Sequence, residues 1–476
     1  MKPFPESPML AANYAPVLAE SYAPDLVVAE GELPEGLTGT LYRNGANPMF
    51  PGDSDKHHWF AGEGMVHAVH VEDGKVSYRN RWVRTFRYEA QRKAGRRLLP
   101  MNFEENVPND FAEQGSSALS NTNVIWQGGK LLALDEGSLP TEITHDTLET
   151  IGAWDFGGDY QGPMTAHPRY DPKTREMLAF GHQVAGPGTT LMSYSVIDQA
   201  GKVTRQDQFE GPYSTASFVH DFLTTDEHVI FPFFPATIDP RRASNGGPVV
   251  AWDPELGTRI GIMRRDASVD TIRWFSGGPC YAFHHVNAYT VHENGRTKVI
   301  ADTMKFPRIP LFPSLDGATA PNFVGGAQLV RWTFDLDGTS DTYTEEALGD
   351  LPGEFPYLDG RVMGHQHRHT FYAAHHGAVT EGDSFNAVVH ADMTTGDRRE
   401  YVPGPGRFVM EPIFVPRNDN APEGDGWLLT IVYDTARNLS DFVVLDTDDI
   451  SAGHIARVEL PTRVPYGFHG GWRAMK

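Results

Sequence analysis

The sequence predicts an all-β protein, on three observations. Short apolar or alternating runs recur along the chain, turn-forming residues separate them, and the spacing of strand–helix–strand units is absent. In chain order the clearest runs are Lys130-Leu131-Leu132-Ala133-Leu134, Thr190 to Ile197, Lys298 to Asp302, Gln328 to Phe334 and Trp427 to Tyr433. β-Branched and aromatic residues are frequent in them, and all are shorter than a typical helix. Between such runs lie Glu72-Asp73-Gly74, Glu293-Asn294-Gly295, Leu336-Asp337-Gly338 and Thr395-Gly396-Asp397. These supply the left-handed or Asx conformations that tight hairpins need. One long helix is predicted near Thr85 to Leu99, where Glu89, Gln91, Arg92, Lys93 and Ala94 favour it and Gly95 works against it.

A chain of 476 residues exceeds the usual single core, so two or three domains are the default. A closed β architecture is the exception, because each blade adds its own buried layer. Turn signals run from end to end with no Ser/Gly linker or charge block. Sandwich arrays, a barrel and a propeller all suit this pattern, and no clean repeat fixes a blade number. The 35 Pro and 48 Gly fit a chain with many turns.

The net charge of −22 argues against a nucleic-acid partner and against electrostatic docking on anionic lipid. Docking through an apolar surface is untouched by that argument. With Cys280 the only cysteine, no intrachain disulfide or thiolate metal site can form. Met1 to Pro8 lacks a signal-peptide pattern, and no stretch approaches the roughly 20 apolar residues that span a bilayer. A soluble, cytoplasmic protein is the simplest expectation.

There is no G-x-S-x-G elbow, phosphate loop, dinucleotide fingerprint or H-E-x-x-H helix, which leaves the 20 histidines as the residues to follow. A lone His is ordinarily a surface or hydrogen-bonded core residue, and His57, His58, His145, His182, His228, His292, His390 and His454 are read that way. Four others sit among aromatic or small residues: Thr165-Ala166-His167-Pro168, Phe218-Val219-His220-Asp221-Phe222, Phe283-His284-His285-Val286-Asn287-Ala288 and Gly467-Phe468-His469-Gly470-Gly471-Trp472. Their intervals are long and unequal, so spacing alone does not show convergence. His365-Gln366-His367-Arg368-His369 is a rival group. On a strand it would project three imidazoles from one face, as a surface metal site or a solvated face.

Ordered motifs decide between these readings. Tyr42 to Pro48, His57 to His67, Tyr78 to Thr85, Asn121 to Asn123, Leu132 to Gly137, the four His contexts, Gly353-Glu354-Phe355-Pro356 and Glu411 to Arg417 follow one another as in the carotenoid cleavage oxygenases. The sequence resembles that family collinearly from about residue 30 to 472.

The resemblance implies a single domain over residues 1–476, with residues 1–30 an extended arm. It implies a seven-bladed β-propeller with a cap of loops and short helices over a central iron site. One iron(II) per chain, Fe2+, would be held by His167, His220, His284 and His469, with no organic cofactor. Glu136, Glu354 and Glu411 would orient His220, His284 and His469 respectively, and His167 has no assigned partner. His285, next along an extended segment, would point to the opposite side from His284.

Thr122 matches a family position beside the open coordination site, where it would limit access. Trp59, Phe60 and Phe283 are candidates for an apolar substrate channel. The reaction implied is cleavage of a conjugated C=C bond by O2 into two carbonyl products.

The family spans carotenoids and apocarotenoids, stilbenes and phenylpropenoids. Its stilbene branch carries a Lys directly before the orienting Glu, bonding the substrate phenol, and a Tyr near Met101 and Asn102; here the first is Asp135, a candidate substrate contact, and neither Met101 nor Asn102 can replace the Tyr. With the Arg43-Asn44-Gly45-Ala46-Asn47-Pro48 stretch, these departures favour an apocarotenoid. A stilbenoid or phenylpropenoid such as lignostilbene, resveratrol, isoeugenol or 4-vinylguaiacol, giving aldehydes such as vanillin, is the alternative. Phe306 to Leu315 is a candidate apolar entrance for peripheral membrane contact, or an interior loop. No nucleic-acid or obligate protein partner is expected. A metal-free binding scaffold and a propeller hydrolase are the other classes considered.

Overall fold

The structure is a computed structural model that describes residues 3–52, 57–98, 118–318, 326–378 and 384–475. Met101 and Asn102 lie outside the described residues. The chain packs into two compact units. One comprises Met1–Ala166, Tyr401–Ala421 and Asp425–Lys476, and the other His167–Glu400 and Pro422–Gly424.

The first unit holds three antiparallel sheets. One has the strand order Ser21–Ala23, Lys75–Trp82, Gly64–Glu72, Gly39–Ala46 and Gly470–Ala474, so a C-terminal strand closes a sheet begun near the N-terminus. Another runs Asn123–Gln127, Lys130–Leu134, Thr141–Ile143 and Thr150–Ala153. In the third, Val28–Gly31 pairs with His454–Glu459, followed by Leu439–Asp446 and Gly426–Asp434. Within residues 3–31, Ser21–Ala23 and Val28–Gly31 are edge strands of two sheets. Tyr42, Val66, Val124, Leu131 and Ala133 share one buried core.

The second unit holds four four-stranded meanders and one small three-stranded sheet. The meanders begin with Arg169–Tyr170, Leu223–Thr224, His285–Glu293 and Gly353–Tyr357. Leu178, Phe180, Phe222, Val229 and Phe231 form a core between sheets. Each Phe buried there contributes roughly 1.5–3 kcal/mol. Among the described residues, seven sheets have four or more strands. This is the blade construction of a seven-bladed β-propeller.

The local signals translate directly. The runs predicted as strands fall in Lys130–Leu134, Leu191–Ile197, Arg296–Lys305, Gln328–Asp335 and Gly426–Asp434. Asp73 and Gly74, at φ of 49° and 71°, close a two-residue hairpin between Glu72 and Lys75. Asn294 and Gly295 do the same at 52° and 71° between Glu293 and Arg296. These are the positive-φ pairs that match strand twist.

The predicted helix is Phe86–Ala94. Thr85 caps it by accepting from the Tyr88 N–H, and Gly95 ends it in the left-handed region. Among the described residues, no helix is long and apolar enough to cross a membrane.

One expectation is corrected. His365 to Arg368 is not a strand; extended structure starts only at His369. The three imidazoles part company: His365 lies 3.7 Å from Asp226, His367 3.6 Å from Asp302, and His369 bonds His390 at 2.9 Å. Alternation of one residue type is not a strand signal unless the intervening residues also favour extended backbone.

Candidate metal centre

All four singled-out histidines stand just before an edge strand. His167 precedes Arg169–Tyr170, His220 precedes Leu223–Thr224, His284 precedes His285–Glu293, and His469 precedes Gly470–Ala474. A residue there is held by a sheet on one side and is free of the ladder on the other, which frees its side chain to serve a site. His167 Nε2 lies 2.9 Å from His220 Nε2, and His220 Nε2 lies 3.1 Å from His284 Nε2. One ring nitrogen from each of the four imidazoles lies within 4.8 Å of the others.

The donor set fits a metal. Two imidazole nitrogens bound at right angles at about 2.1 Å would stand about 3.0 Å apart, which is the spacing seen. Four neutral imidazoles suit zinc, copper, iron or nickel and leave the ion's charge uncompensated.

Two carboxylates meet the far sides of these rings. Glu354, on an edge strand, accepts a short hydrogen bond from His284 Nδ1 and another at 2.6 Å from the Phe355 N–H. Phe355 is held at φ +56°, a costly conformation for a bulky residue, and its ring packs 5.3 Å from that of His284. Glu411 accepts from His469 Nδ1 at 2.7 Å and from the Gly470 N–H at 3.2 Å. A proton held on Nδ1 by a carboxylate leaves Nε2 with its lone pair for a metal. Glu136 is half-buried just beyond the Lys130–Leu134 strand.

The neighbouring His285 makes different contacts. It is buried, its Nδ1 lies 2.6 Å from Thr303 Oγ1, and burial holds its pKa well below the usual range.

Thr122 donates to Asn121 Oδ1 at 3.0 Å, and its carbonyl accepts from the His469 N–H at 3.1 Å. Phe283 meets His220 edge-on at 5.4 Å and packs on Tyr281 and Phe306. Trp59 donates through Nε1 to the Tyr466 carbonyl at 2.9 Å and packs with Phe60 and Phe468. Phe306, Ile309 and Phe312 are buried and Leu311 is half-buried, so among the large apolar residues of Phe306 to Leu315 only Leu315 is exposed.

Asp135 is placed differently from the expectation of a substrate contact. The Leu119 and Ser120 N–H groups and the Ser138 hydroxyl donate to Oδ2 at 2.8–2.9 Å, and the Gly137 N–H donates to Oδ1 at 2.8 Å. Burial raises its pKa despite these bonds. Four donors assign this carboxylate to anchoring the backbone at 119–120.

Sequence reading gave Arg43 no role. Its buried guanidinium makes a short ion pair with Glu411 and donates to the Phe468 carbonyl at 2.8 Å. The cation thus balances the carboxylate that orients His469. Nothing local marks Arg43, because its partner lies 368 residues away.

Comparison with known proteins agrees with this geometry. The family model described as retinal pigment epithelial membrane protein matches residues 14–474. Isoeugenol monooxygenase of Pseudomonas nitroreducens is 36% identical over 98% of both sequences. The crystal structure of Pseudomonas brassicacearum lignostilbene dioxygenase superposes with a TM-score of 0.91 at 35% identity over 100% of both proteins. That of a cobalt-substituted apocarotenoid oxygenase from Synechocystis gives 0.85 at 30% identity over 98% of each.

Proposed function

Because the chain belongs to the retinal pigment epithelial membrane protein family, the carotenoid cleavage oxygenases, we propose that it cleaves the alkenyl C=C bond of an aromatic alkene with O2. The family comprises non-haem iron oxygenases acting on alkenes. The substrate class proposed is a phenylpropenoid or stilbenoid, giving aromatic aldehydes. In the balanced two-oxygen form, one C=C bond and one O2 become two C=O groups.

The observation that carries the chemistry is the four-imidazole group. We assign His167, His220, His284 and His469 as ligands of one iron(II) ion. When bound, that ion supplies the activation of O2 toward an electron-rich alkene. Glu354 and Glu411 fix the tautomer and plane of His284 and His469, and Glu136 is given the same task for His220. Thr122 limits access to the metal, while Trp59, Phe60 and Phe283 offer apolar ring surface to a flat conjugated substrate.

The substrate class rests on relatives rather than on the motifs that first suggested an apocarotenoid. Proteins named isoeugenol monooxygenase, resveratrol cleavage oxygenase and lignostilbene-α,β-dioxygenase are 36%, 33% and 32% identical to this protein; one named apocarotenoid-15,15′-oxygenase is 31% identical. Asp135 is engaged by backbone and hydroxyl donors, which weakens the argument that its carboxylate would repel a phenolate. Within the Arg43 to Pro48 stretch, which suggested a carotenoid, Arg43 pairs with Glu411 and Asn44 and Asn47 bond backbone.

The test is parallel aerobic incubation of iron(II)-loaded protein with isoeugenol, a 4-hydroxystilbene and an apocarotenal, with products separated by chromatography. Aromatic aldehydes from either phenolic substrate are expected. Aldehydes from the apocarotenal alone would refute the aromatic assignment and restore the carotenoid reading.

A further inference from the structure

We propose that the buried Arg169–Asp221 ion pair is a positioning clamp that sets the spacing of His167, His220 and His284. The pair lies in sequence immediately behind two of these ligands and bonds the residue that follows the third: Arg169 is two residues beyond His167, and Asp221 adjoins His220. Arg169 Nη2 donates to Asp221 Oδ2 at 2.6 Å and to the His285 carbonyl at 3.2 Å, while Nε donates to the Phe222 carbonyl at 2.9 Å. Asp221 in turn accepts from the Phe222 N–H at 2.7 Å and from the His285 N–H at 2.9 Å. One guanidinium and one carboxylate therefore bind backbone on the segments that carry His220 and His284, from a side chain tied to the segment of His167. Arg169 is 8% and Asp221 3% exposed.

The chemistry suits the place. Arg offers a rigid planar fork that can meet several acceptors in fixed directions, which Lys cannot. Pairing it with Asp221 also leaves the clamp without net charge beside a site that takes a dication. A lone buried Arg would oppose that ion electrostatically. Holding the ligand segments at set spacing before metal arrives lowers the ordering cost of binding.

This inference rests on the metal reading above, and the experiment separates the two. Arg169→Lys keeps the positive charge but loses the fork. Asp221→Asn is nearly isosteric but can accept from only one of the two backbone N–H groups without turning an amide toward the other. Cobalt(II) affinity is measured by chelator competition, the cobalt ligand-field spectrum is recorded, and thermal unfolding reports the folded fraction. The clamp predicts, for folded variants, about 10–100-fold weaker cobalt binding and shifted ligand-field bands.

Wild-type protein that binds no cobalt would sink the metal reading itself. Wild-type binding together with folded variants of unchanged affinity and spectrum would overturn the clamp alone, leaving the pair a plain structural bridge. Failure of both variants to fold would also overturn it, by assigning the pair to the fold rather than to ligand spacing.

Discussion

Arg43→Met isolates the cost of leaving the carboxylate behind His469 without its cation. Arg43 is 3% and Glu411 5% exposed, and the guanidinium also satisfies the Phe468 carbonyl. Removing one member of a buried pair strands the other charge, at a cost of about 3–5 kcal/mol. The two hydrogen bonds Glu411 still accepts, from His469 and Gly470, place the outcome at the lower end of that range. Glu411→Gln added to Arg43→Met removes the stranded charge while keeping an oxygen for His469. The double variant is therefore expected to be more stable than Arg43→Met alone, within about 1–2 kcal/mol of wild type.

Urea unfolding of wild type, both single variants and the double variant measures this as a double-mutant cycle. A double variant less stable than Arg43→Met, with the single losses simply adding, would refute the claim that Arg43 acts by balancing Glu411.

Three further outcomes are expected. His284→Ala abolishes metal retention after desalting, whereas His285→Ala keeps the metal and loses stability, since His285 is buried with Thr303 as its partner; metal analysis of both variants checks this. Burial, with Arg463 and Arg43 nearby, holds His67 at a pKa of about 3. The unfolded protein, near 6.5, binds that proton first, so stability is lost as pH falls below about 6.5, by about 2 kcal/mol at pH 5. His67→Gln should show a smaller drop between pH 7.5 and pH 5 in urea unfolding, and an unchanged drop would contradict the assignment. Asp135→Asn should cost about 1–3 kcal/mol because an amide cannot accept from all four donors, yet leave KM for a phenolic alkene near wild type; steady-state kinetics beside unfolding curves distinguish this from a substrate contact.

Much of the architecture was legible because strands and hairpins are local. Lys130–Leu134 is a buried apolar run, and the Asp73-Gly74 and Asn294-Gly295 pairs can hardly be anything but tight turns. Blade closure was not legible: Gly39–Ala46 pairs with Gly470–Ala474, and no property of either strand names the other. The four converging histidines were visible through ordered motifs, but the groups that bond them and their segments were visible only in part. Glu354 and Glu411 stood in those motifs, while Arg43, Arg169 and Asp221 read as ordinary charges until folding buried them. Asp135 was read as a substrate contact because it takes the place of the stilbene branch's Lys, whereas backbone N–H groups 15 and 16 residues upstream bond it. The His365 to His369 group misled because its alternation sits in a loop.

In the proposed site one iron(II) is held by four imidazoles. Iron content after anaerobic loading and desalting, measured for wild type and for His167→Ala, His220→Ala, His284→Ala and His469→Ala, tests it most directly. One iron per protein molecule is expected in wild type, and its loss in each folded variant. Iron retained at the wild-type level in any of the four would remove that residue from the ligand set, and wild-type protein that takes up none would refute the four-imidazole iron site.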